Sequence, residues 1–192
     1  MRIYIPATLR MLRDFFEQQS LQPLSGTAFA LTPALREAYS SGGDEELEYA
    51  AMREAARASL RLISGEQDEP REAEQQAEQQ DEPRDEQDEE RAVERSGQRT
   101  RRVVVAADVQ DVTLRPDLDH AVVRVSGQVP WKTVAAVHVD TEEAEQDVHA
   151  AAGVIDAADL GDEQAELTLG DAEDHELAWF APQEVPFLLE LM

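Results

Sequence analysis

Alternation of apolar and polar positions divides the chain into short strands and helices on either side of one stretch that has no apolar pattern. Arg2 to Pro6 (RIYIP) sets Ile3 and Ile5 on one face and Tyr4 on the other, the period of a strand. Thr8 stands where a helix N-cap belongs, ahead of a stripe formed by Leu9, Leu12, Phe15 and Phe16. Beyond Pro23 and Gly26, TAFAL predicts a second strand, and Thr32-Pro33 a helix start with threonine as cap and proline in the first turn. From Asp44 through Ile63 the spacing of Leu47, Ala51, Ala55, Ala58 and Leu62 predicts a long amphipathic helix with Glu and Arg opposite.

The pattern resumes at RRVVVAADV, a run of β-branched residues that predicts a strand buried on both faces. HAVVRV and VAAVHVD (134–140) predict two more strands, and Asp140 or Thr141 caps a helix with Ala144, Val148, Ala151 and Ile155 on one side. Residues 156–175 read as acidic and turn-rich, ELAWFA as a last strand, and PQEVPFLLELM as a short helix or extended segment. The expected order is β-α-β-α-α, the unpatterned stretch, then β-β-β-α-β-α.

The unpatterned stretch centres on residues 68–90, DEPREAEQQAEQQDEPRDEQDEE, where 12 acids and five glutamines leave two alanines as the only apolar side chains. Nothing there offsets the entropy of ordering the backbone, so residues 65–98 are expected to form a disordered acidic linker. DEPR at 68–71 recurs at 81–84, and AEQQ at 73–76 recurs at 77–80. That repeat also admits a transient helix showing an acidic stripe to a basic partner, against which Pro70 and Pro83 each break a helix interior.

Neither flanking block is rich enough in apolar residues to stand alone. The expected architecture is therefore one α+β domain, a single mixed sheet with helices packed on it, built from residues 1–64 and 99–192. The linker then loops from its surface, and closure entropy grows only logarithmically with loop length.

Charge narrows the partners. The chain carries 17 Lys plus Arg against 42 Asp plus Glu, a net of −25. Residues 1–64 hold 7 bases and 8 acids, residues 65–98 hold 4 and 14, and residues 99–192 hold 6 and 20. Phosphate backbones and anionic membranes repel such a chain, so no nucleic-acid or membrane partner is expected. A surface so acidic and so poor in lysine is also found in salt-adapted proteins, although the near-neutral first block argues against that. No cysteine is present, which removes disulfides, thiolate catalysis and cysteine-held metals. The N-terminus has Arg2, Arg10 and Arg13 and no uninterrupted apolar core, unlike a secretory signal, and no membrane-length apolar run follows. A cytoplasmic location is the expectation.

Candidate chemistry is sparse. HExxH, GxSxG, GxGxxG and GxxxxGK[ST] are all missing, and no catalytic residue, cofactor or metal site is expected. The one low-weight ligand site pairs His138 with Asp140, two residues apart near the end of a strand and so on one strand face, with His149 as a remote third metal ligand. Arg99, Arg101 and Arg102 form the one basic cluster of the second block. They suit a charged strand entry that prevents edge pairing, or an anion site or latch for the acidic linker. Trp131 and Trp179 are the candidate partner-binding residues, since tryptophan is enriched at interface hot spots.

Taken together, MRIYIPATLRMLR, TAFALTPALREAY, ELEYAAMREAARASLRL, RRVVVAADV, VAAVHVD and HELAWFAPQEV resemble a family of small uncharacterised actinobacterial proteins, a domain of unknown function. The resemblance covers most of both blocks and skips the acidic middle. It implies a cytoplasmic bacterial protein and brings no activity, cofactor or catalytic residue with it. Two functions are compatible with these observations: a non-enzymatic protein-interaction module whose partner is another protein, or a small enzyme or ligand-binding domain with its site near His138 and Asp140.

Overall fold

The computed structural model describes residues 1–80 and 99–192. Its centre is strand β1 (Arg2–Ala7), paired antiparallel along its whole length with β4 (Val103–Asp108), from Arg2 opposite Asp108 to Ala7 opposite Val103. On its other side β1 meets β3 (Thr27–Phe29), which pairs with β6 (Val122–Val125) and through it with β5 (Val112–Leu114). Beyond β4 come β8 (Val134–Val139) and β9 (Ala178–Phe180), giving the seven-stranded order β5-β6-β3-β1-β4-β8-β9. Strands from both blocks share one sheet, as expected, with β3 and β1 of the first block side by side between β6 and β4 of the second. All these pairings are antiparallel where a mixed sheet was anticipated, and a separate two-stranded ribbon joins β2 (Ser20–Leu21) to β7 (Val129–Pro130).

Period-two alternation assigns the two faces. Ile3, Ile5, Val103, Val105, Val123, Val137 and Val139 point to one side, where α1 (Leu9–Gln18) supplies Leu12 and Phe15 and α7 (Val185–Glu190) supplies Val185 and Leu188. Tyr4, Phe29, Val104, Ala106 and Ala136 point to the other side, against Leu35 of α2 (Pro33–Ala38) and Ala51, Met52 and Ala55 of α3 (Asp44–Gln80). Each fully buried Val, Leu or Ile contributes about 1.5–3 kcal/mol by leaving water, so both layers contribute to stability. The predicted caps form: the Thr8 hydroxyl accepts from the Met11 amide at 3.2 Å, and that of Thr32 from the Leu35 amide at 3.0 Å.

Two expectations are corrected. Helix α3 does not stop at Ile63 but continues to Gln80, so residues 65–80 of the expected linker have helical backbone, and 81–98 lie outside the described residues. Propagation from a formed helix needs no new nucleus, and Glu, Gln and Ala are good helix formers. Glu66 also ties the helix to the sheet, accepting from the Thr8 hydroxyl at 2.7 Å and from Arg10 at 2.9 Å. The segment read as turn-rich, 156–175, is mostly helical. After α4 (Glu145–Ala152) come α5 (Ile155–Asp159) and α6 (Glu163–Glu173), which bury Ala158, Ala165, Leu169 and Ala172 against Leu60 and Ile63 of α3. Asp162 caps α6, accepting from the Ala165 amide at 2.8 Å. Small alanines at helical spacing bury well here, yet among so many acids they give little hydrophobic contrast in the sequence.

Candidate functional site

Strand β8 presents Val137 and Val139 to the α1 side, which turns His138 to the α3 side. His138 lies directly opposite Trp179 of β9, the last strand of the sheet. Trp179 is 60% exposed, while His138 is half-buried. Burial, and then the positive charge of Arg2, holds the His138 imidazole below its ordinary value, which favours the neutral ring.

Asp140 follows β8 and is buried. Its carboxylate accepts from the Arg102 amide at 2.7 Å, from Arg102 Nε at 2.9 Å and from Arg102 Nη2 at 2.7 Å. The same Nη2 donates to the His175 carbonyl at 2.9 Å, and the Asp140 amide to the Arg102 carbonyl at 3.1 Å. This bidentate pair locks the start of β4 to the end of β8 and to the α6–β9 connection. Breaking a buried pair on one side leaves an uncompensated charge, at a cost of about 3–5 kcal/mol. Asp140 is thus matched to Arg102, whereas His138 stands opposite Trp179 on the neighbouring strand. Sequence reasoning missed this partnership because 38 residues separate its members and no local spacing connects them.

Arg101 of that cluster is used in the same way. Arg101 Nε donates to Glu145 at 2.6 Å and fastens the start of α4. Because β4 lies between β1 and β8, these arginines do not guard a sheet edge, a correction to the strand-entry reading. His149 Nδ1 meets Gln67 Nε2 at 3.1 Å and Thr100 Oγ1 at 3.5 Å, and His175 Nε2 meets Asp147 at 2.7 Å. Among the described residues, no group of three or more His, Asp or Glu side chains is placed to hold a metal ion.

The two tryptophans separate clearly. Trp131 packs edge-on against Phe15 and Phe16, with ring centroids 4.9 and 5.5 Å apart, and joins the core of the α1 layer. Trp179 instead projects from the sheet edge. Two residues before it, Leu177 lines a shallow crevice with Tyr49 and Met52 of α3, Glu173 at the end of α6, and His175 and Glu176 of the α6–β9 connection. Tyr49 is 47% exposed at this crevice, which Trp179 does not line. Pattern could not single out Tyr49, which stands on the polar flank of a helix whose apolar stripe is Leu47, Ala51 and Ala55.

Among the described residues no helix is long and apolar enough to cross a membrane. Comparison with curated proteins and with solved structures finds no match. A family model, described as a family of unknown function (DUF6912), matches residues 1–189, the two blocks and the acidic segment between them. The chain belongs to that family of unknown function.

Proposed function

We propose that this chain is a non-enzymatic protein-interaction module of the cytoplasm, whose folded body docks another protein at the β8–β9 edge of the sheet. The observation that carries this reading is Trp179, a large apolar side chain 60% exposed on the terminal strand of an otherwise well-buried sheet. An exposed indole costs solubility and gains most when a partner covers it, as at the centre of interface hot spots. Asp140, the carboxylate nearest in sequence to His138, serves the Arg102 pair, which leaves the enzyme alternative without its second group.

The test is affinity capture at moderate salt with three baits: the full chain, Trp179→Ala, and a chain with 68–98 replaced by a short Gly-Ser linker. A stoichiometric protein held by the first and third and lost from the second is the expected result. Loss with the replacement alone would move recognition to the acidic segment. Capture of nothing by any bait would argue against an interaction role and direct attention to ligand screening around His138.

A further inference from the structure

We draw no further inference here: the strongest candidate, the shallow crevice between α3 and the α6–β9 connection lined by Arg53, Arg102 and His175, has room for about one water molecule, and nothing in the structure shows what covers it.

Discussion

His138 lies on β8, between β4 and β9, and its titration has a defined sign. Its folded-state pKa lies below the ordinary 6.5, first through burial and then through Arg2. As pH falls through 6.5 the unfolded chain takes up this proton before the folded chain does. The stability the neutral ring contributes is therefore complete above 6.5 and is lost as pH falls towards the folded value. Asp108 titrates in a separate, lower window: its hydrogen bond from Arg2 holds the carboxyl below 3.8, so its contribution is present above 3.8 and disappears only at still more acidic pH. His138→Gln is expected to remove the upper component. Melting temperatures of the two proteins, scanned from about pH 8 to about pH 5, should converge as the solution is acidified. Parallel curves would show that the ring is not the group responsible. Neither the burial nor the Arg2 charge is legible in VAAVHVD, because both come from other strands.

At the scale of elements, the critical joint is where α3 crosses the sheet. Ser59 is fully buried, donates its hydroxyl to the Ala7 carbonyl at 2.7 Å and accepts from the Val103 amide at 3.2 Å. One side chain thus closes the end of β1 and the start of β4 at the point where their ladder runs out. Ser59→Ala leaves both backbone groups buried without that partner, and the expected loss is about 1–3 kcal/mol. Urea unfolding monitored by circular dichroism measures it, and a loss near zero would mean that water or a backbone shift satisfies both groups. The amphipathic pattern of α3 was readable from Asp44 onward because its apolar residues recur every turn. Ser59 was not singled out, since a serine on a helix gives no sign that it will reach a strand end 52 residues earlier in the chain.

At the scale of the whole molecule, the acidic segment leaves and re-enters the body at one point. Gln67, the last residue before it, and Thr100, just after it, reach the same His149 nitrogen. The ends are therefore held by the body, and the segment's length adds only a slowly growing closure cost. Replacing 68–98 with a short Gly-Ser linker should shift the melting temperature by no more than about 3 °C, on the order of 1 kcal/mol for a domain of this size. A drop of about 10 °C would instead make the segment part of the fold. The family match spans it together with both blocks, so its removal also separates what the fold needs from what the proposed docking would need.

The sequence by itself determined the elements that local forces write: the alternation of β1, β4 and β8, the Thr8 and Thr32 caps, the start of α3, and one sheet drawing on two blocks. These depend on residues a few positions apart, where side-chain period and hydrogen-bonding chemistry act directly. Only the tertiary structure decided that β4 is an interior strand and that Arg102 belongs to Asp140. It also showed 156–175 folding onto α3, and separated the tryptophans by packing a partly buried Trp131 against Phe15 and leaving Trp179 at the sheet edge. Each of these depends on which distant surfaces meet, and burial, not local pattern, sets their energy.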